Sequence, residues 1–315
     1  MVDTLNKLGG LHTEEDFYSQ ETIMSSTISS MYKKNYKIHQ CPLNGPGIIV
    51  LMMMAISEKI KIDQYPSSSF ERYHLQSEIT KICYEFKETK LGDPNFNNIN
   101  IEEILTDGFL DNLMSKIKMN EVYNSKKSYV TSNPETVYLT VVDRDLNAVS
   151  FINSICHSFG SGITTSNTGI LFQNRGVNFR LEKDHPNVIE GNKRPLHTII
   201  PGLVTNQNNE TLLTYGVMGG QYQPIGQTHV LQNILDYNLS IQEALDSPRA
   251  FALDGNLKVE KSLDNEVVDE LKNTGHKIII ENNSIGGGQC IKIDRNEGTL
   301  IGGSDPRKDG MAIGY

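Results

Sequence analysis

An α+β fold is what this sequence predicts, on three observations. Apolar residues recur at helical spacing up to about residue 125. Beyond that point short β-rich runs take over, punctuated by Gly, Asn and Asp. Only two helical runs interrupt the second part, and strands mixed with a few helices suggest packed layers.

In chain order, "GPGIIV" at 45–50 reads as a Gly-rich turn before a helix, because neither the opening of a βαβ unit nor the acidic residue of a dinucleotide fingerprint accompanies it. Helices are expected over 48–60, 70–89 and 101–117, separated by "DQYPSSS" and "LGDPNFNNIN". The segment "YNSKKSYVTSNPE", 123–135, is polar and aperiodic, as a flexible surface loop or interdomain linker would be. A hairpin follows, from Tyr138 to Asp143 and from Ala148 to Ser154, around the turn-forming "RDLN". Further strands are expected in "TGILF", "TIIPGLV", "TLLTYGV", "HKIIIE", "CIKID" and "TLIGG". The two helical runs are Ile225 to Tyr237 and Val267 to Asn273, the second ending before Gly275, which suits a helix C-terminus. The expected division is 1–135, mostly helical, and 136–315, strand-rich, with no internal repeat.

The 315 residues, 37% of them hydrophobic, are enough for a real core. A formal charge of −9 argues against nucleic acid as a partner and leaves a small molecule as the expected ligand. Cys41, Cys83, Cys156 and Cys290 form no C-x-x-C pair, and no His at metal-ligand spacing accompanies them, so neither a zinc site nor a disulfide framework is suggested. The first residues lack a basic segment leading into an apolar one, and no apolar run reaches membrane-spanning length; the expectation is a cytoplasmic chain without a membrane partner.

Familiar catalytic signatures are mostly missing. Ser161 in "FGSGI" and Ser304 in "GGSDP" miss the G-x-S-x-G elbow, and neither H-E-x-x-H nor a P-loop occurs. Attention falls on Thr136, where the polar segment meets the first strand. A threonine hydroxyl is a poor nucleophile unless a base stands beside it, and the amine of the same residue supplies one when that residue is N-terminal. Cleavage after Glu135 would free that amine, with an unperturbed pKa of about 8, close to operating pH. On local evidence alone, a threonine that merely starts a strand is commoner.

From "GGLHTEEDF" at 9–17 to the C-terminal "AIGY", the chain resembles the γ-glutamyltranspeptidase family of N-terminal nucleophile hydrolases. "ETVYLTVVDRDLNAVS", "FGSGI", "TGILFQN", "NKRPLHTIIP", "GVMGGQ" and "SDPR" carry the resemblance, in the family's order. It implies an αββα sandwich, a precursor, and autocatalytic cleavage that makes Thr136 the first residue of a small subunit paired with the cleaved large one. Ser154 matches the family's hydroxyl residue that hydrogen-bonds the nucleophile. Gly219 and Gly220 match the paired glycines whose N–H groups form the oxyanion hole. Cys156 is expected on the strand face of Ser154, where transpeptidases place a substrate-binding asparagine. No metal or organic cofactor is implied, and "IGGGQ" at 285–289 reads as backbone packing.

The departures from the family pattern concern substrate. Transpeptidases hold a substrate ammonium with acidic or amide groups in the segment matching Arg175 to Asn178, which here is "RGVN". A cation at Arg175 would repel that ammonium and attract a carboxylate, with Asn178 offering only dipoles. A structural salt bridge is the competing reading of Arg175. The Ser-Ser of the transpeptidases is His197-Thr198 here. "QNRG" and "RPLHT" resemble the branch that includes oxamate amidohydrolase, which implies a small amide bearing a carboxylate. The family's precursor extends upstream of this sequence, so the chain is expected to lack an N-terminal part that supplies strands. Two alternatives stay open: a glutathione hydrolase or transpeptidase, and a noncatalytic truncated relative acting as an interaction module.

Overall fold

The computed structural model describes residues 1–125 and 136–315. Two short helices, Val2–Lys7 (α1) and Glu15–Tyr18 (α2), precede an antiparallel pair, Ile28–Tyr32 (β1) and Tyr36–Gln40 (β2). Gly47–Ile60 (α3) is buried along nearly its whole length, which explains why it is apolar on every side. Phe70–Lys90 (α4) starts at Ser69, whose Oγ accepts from the Arg72 N–H. The single helix expected over 101–117 is two, Ile101–Ile104 (α5) and Asp107–Met114 (α6), because Asn100 and Thr106 each cap a fresh N-terminus with a side-chain oxygen.

Residues 126–135, and with them Glu135 and most of the expected loop, lie outside the described residues. The hairpin follows as expected, Val137–Val142 (β3) and Ala148–Asn153 (β4). Then come Gly202–Thr205 (β5), Thr211–Met218 (β6), Gln223–Leu235 (α7), Ile241–Asp246 (α8), Ala250–Leu253 (β7) and Asn256–Glu260 (β8). Asn265–Asn273 (α9), Ile278–Glu281 (β9), Gly287–Asp294 (β10) and Thr299–Ser304 (β11) complete the order. The run "TGILF" is not a strand; only an isolated bridge, Thr164 to Leu171, forms there.

The α+β class is borne out. A six-stranded sheet runs β1-β2-β5-β6-β10-β11, so the first part of the chain, expected to be mostly helical, contributes two of its strands. Register sets Ile38, Val204 and Leu213 side by side across β2, β5 and β6, and these fully or almost fully buried residues join the main core with α3, α4 and α7. The hairpin packs on the sheet's other face, against β6 and β10. A smaller sheet, β7-β8-β9, packs with α4 and α9 around Tyr73, Leu257, Val259 and Leu271.

Along β6 the two layers read as alternation. Leu213, Tyr215 and Val217 belong to the helix-side core, whereas Thr214, Gly216 and Met218 meet the hairpin. That seam is held largely by hydroxyl groups. Thr140 Oγ1 donates to Thr214 Oγ1 at 2.8 Å, Tyr138 Oη and Ser150 Oγ lie 2.8 Å apart, and Ser150 Oγ donates to the Tyr215 carbonyl at 3.2 Å. Gly216 is needed here because a Cβ would stand 2.3 Å from the Tyr138 ring. On the hairpin's outer face Val137, Leu139, Val141, Val149 and Phe151 are between 43% and 65% exposed.

Candidate active site

Thr136 immediately precedes β3, whose first residue, Val137, pairs with Asn153 at the end of β4, the residue before Ser154. Its side-chain hydroxyl is buried and has no hydrogen-bond partner among the described residues. A buried hydroxyl without a partner is costly, so such a group invites a functional explanation. Ser154 Oγ accepts from the Cys156 N–H at 3.0 Å.

A small apolar cluster of Tyr138, Ile152 and Met218, with Ile199 packed against it, ties the neighbourhood together. Each member flanks a residue singled out in the sequence: Tyr138 follows Thr136, Ile152 precedes Ser154, Met218 adjoins Gly219, and Ile199 adjoins Thr198. Gly219 has φ +123 and Gly220 φ +56, and a Cβ on Gly219 would stand 2.8 Å from Gly286 Cα. Only glycine accepts that first conformation at so close an approach. A 3₁₀ turn, Gly220–Tyr222, leads directly into α7, so the positive end of a helix lies just beyond the glycine pair. Gly286 closes on Met218 and Tyr222, as the packing reading of "IGGGQ" requires.

A small cleft beside these glycines is lined by Asn178, His197 and Thr198 together with Lys87, Glu88, Arg180 and Gln221. Sequence reasoning singled out only the first three. Lys87 and Gln221 are joined at 2.7 Å, and Arg180 pairs with Glu88 at 2.6 Å. These partners come from α4, distant in sequence, and no local motif marks them. One Asn178 side-chain N–H is taken by the Leu196 carbonyl at 2.9 Å. His197 Nδ1 accepts from the Ile199 N–H at 3.1 Å, which fixes the Nε2–H tautomer. Burial, with Arg175 and Arg194 nearby, pulls the His197 pKa down to about 4, so the ring is neutral at physiological pH.

Arg175 opens a 3₁₀ turn, Arg175–Asn178, and donates through Nη2 to the Ser154 carbonyl at 3.0 Å. Burial lowers its pKa, opposed by the Cys156 thiol beside it. Arg180 pairs with Glu88 and Arg194 with Asp93, but Arg175 makes no ion pair with a carboxylate among the described residues. The salt-bridge reading of Arg175 therefore finds no partner there. Cys156 requires a correction: β4 ends at Asn153 and Cys156 takes φ +80 in a bend, so strand alternation does not carry it onto the face of Ser154. It is buried against Arg175 instead, and burial raises its thiol pKa.

The model of the family described as Gamma-glutamyltranspeptidase matches residues 1–315. The chain is 34% identical to the glutathione hydrolase-like YwrD proenzyme of Bacillus subtilis, across all of this chain and 60% of that protein. It is 29% identical to the oxamate amidohydrolase proenzyme of Klebsiella pneumoniae, across 85% of this chain and 52% of that one. Among solved structures, cephalosporin acylase from Bacillus halodurans superposes with a TM-score of 0.90 at 33% identity, over 99% of this chain and 57% of the other. The chain thus spans little more than half the length of the proteins it matches. No helix among the described residues is long and apolar enough to cross a membrane.

Proposed function

Since the chain belongs to the γ-glutamyltranspeptidase family, we propose that it is an autoprocessed amide hydrolase with Thr136 as nucleophile. The observation that carries this reading is the Thr136 hydroxyl just before β3, buried and without a hydrogen-bond partner among the described residues. Cleavage of the 135–136 bond frees the Thr136 amine, which takes the Oγ proton as Oγ attacks the substrate carbonyl. The Gly219 and Gly220 N–H groups stabilise the developing oxyanion. The proton passes to the departing amine as the C–N bond breaks. Water then resolves the ester, returning the hydroxyl and releasing the acid.

For substrate, the reading is a small amide bearing a carboxylate. Arg175 supports it, as a half-buried guanidinium without a carboxylate partner among the described residues. The neutral His197 and Thr198 supply further polar edges, while Cys156 packs beside the guanidinium. The 34% identity to a glutathione hydrolase-like protein favours a second reading, γ-glutamyl amides, and assay separates the two. The partner is the other cleavage product, together with a segment equivalent to the part of the relatives' length that lies outside the match. The exposed apolar face of the hairpin is the surface on which that segment would pack.

Intact mass tests the nucleophile. The folded chain, supplied with the upstream segment, should yield fragments 1–135 and 136–315, and Thr136→Ala should stay whole. An unmutated chain that stays whole under those conditions overturns the assignment. With processed enzyme, oxamate should be preferred to glutathione and a γ-glutamyl anilide by ~10²-fold in kcat/KM, because a misplaced charge in a water-poor pocket costs several kcal/mol. Faster turnover of the γ-glutamyl compounds assigns the second reading. Silence toward all three assigns a noncatalytic interaction module.

A further inference from the structure

A second set of reactive side chains shares no residue with the cleft. His74 and Glu78 stand one turn apart on α4 and are fully buried, and the nearly buried His276 follows the turn that ends α9. That turn fixes the position of His276. Gly275 sits at φ +108 and donates to the Lys272 carbonyl at 2.9 Å, while the His276 N–H donates to the Leu271 carbonyl at 3.0 Å, the paired bonds of a Schellman cap.

The three ligand-type atoms lie within 4.8 Å of one another. His74 Nδ1 is 2.9 Å from His276 Nε2, which is 3.9 Å from Glu78 Oε1. A tetrahedral site with bonds of about 2.0–2.1 Å has ligand–ligand edges of about 3.3 Å, between these two values. The remaining polar atoms are already held as outer partners of a metal ligand would be. His74 Nε2 meets the Lys118 carbonyl at 2.7 Å, which makes it the protonated nitrogen and leaves Nδ1 a lone pair. The Tyr123 N–H donates to Glu78 Oε2 at 2.6 Å. Glu78 Oε1 is left facing the cluster, buried and without a hydrogen bond of good geometry. Its charged neighbour is the Lys81 ammonium, which also donates to the Tyr123 carbonyl at 3.0 Å. At 2.9 Å His276 Nε2 donates its proton to His74 Nδ1 in the metal-free protein, so that proton must leave, with Nδ1 as the protonated nitrogen of His276, before both imidazoles face an ion with lone pairs.

We propose that His74, Glu78 and His276 form a binding site for a zinc-type divalent cation that clips α4 to the end of α9. Two imidazole nitrogens and one carboxylate select zinc over calcium or magnesium, which prefer oxygen ligands. The 118–123 segment supplies the outer shell, so the ion would tie three stretches of chain together. Lys81 is the built-in competitor: its ammonium must give up Glu78 Oε1 when the ion enters.

Zinc titration of the whole chain after chelator treatment tests this. The expected result is one tightly bound equivalent, a rise in Tm that chelator reverses, and, with cobalt in place of zinc, the visible absorption of a tetrahedral nitrogen–oxygen site. His276→Asn and Glu78→Gln should weaken zinc binding by ~10-fold or more. Lys81→Met should tighten it, an outcome that a merely hydrogen-bonded cluster would not give. A folded wild-type chain that takes up no zinc beyond the level of His276→Asn, or that shows no tetrahedral cobalt spectrum, overturns the site. The cobalt measurement needs no variant and stands even if Glu78→Gln fails to fold.

Discussion

The six-stranded sheet and the β3–β4 hairpin are both antiparallel and both alternate in sequence, yet the sheet covers its apolar side chains with helices while the hairpin leaves a row of them exposed. The sheet turns Ile38, Val204, Leu213 and Val217 toward its helices. The hairpin turns Tyr138, Val142 and Ile152 together with the hydroxyls of Thr140 and Ser150 toward the sheet, and leaves Val137, Leu139, Val141, Val149 and Phe151 facing out. Alternation identifies a strand but not which of its faces is covered within the same chain. Hydroxyl groups join the hairpin to the sheet, while its apolar outer face stays exposed in this chain.

That contrast predicts unequal costs. Ile38→Ala, on the helix side of the sheet, should lower stability by about 2–5 kcal/mol in chemical denaturation, the range for a fully buried large-to-small change. A smaller effect is expected in the cleft, from His197. Its depressed folded pKa means that the unfolded chain takes up a proton first as pH falls. Stability is therefore fully present above about pH 6.5 and is lost toward pH 4, by about 3 kcal/mol at most. Denaturation midpoints of His197→Gln between pH 7 and 4 should fall less steeply than wild type; parallel curves would contradict this. The smallest effect belongs to Phe151→Ser, within about 0.5 kcal/mol in this chain. A cost matching that of Ile38→Ala would break the comparison. A cost that appears only when the relatives' additional segment is supplied would sharpen it.

Much of this was legible in the sequence. The apolar spacing of 48–60 and 70–89 gave α3 and α4 nearly to the residue, and "RDLN" between two β-rich runs gave the hairpin. The strands β1 and β2 escaped because "ISSMY" and "YKIHQ" are short and half polar, and β2 joins the sheet through β5, more than 160 residues away. Ser240-x-x-Glu243 is a capping box that announces α8, a local signal that went unread. At the site, Thr136, Ser154 and the glycine pair could be placed by resemblance. Glu88 and Gln221 could not, since they meet Arg180 and Lys87 only through tertiary contact. The His74-x-x-x-Glu78 spacing is likewise visible on one helix face, but its third member stands 202 residues from His74.

The ring of Tyr138 lies over Gly216, so at that point the gap between β6 and β3 is filled by one aromatic ring. In that position the ring is a shim between β3 and β6. A methyl group added at position 216 would have to be offset by a thinner side chain at 138, and either change alone would disturb the fit of β3 on β6. Positions 138 and 216 should therefore change as a pair, and a combined substitution should recover stability that each single one loses.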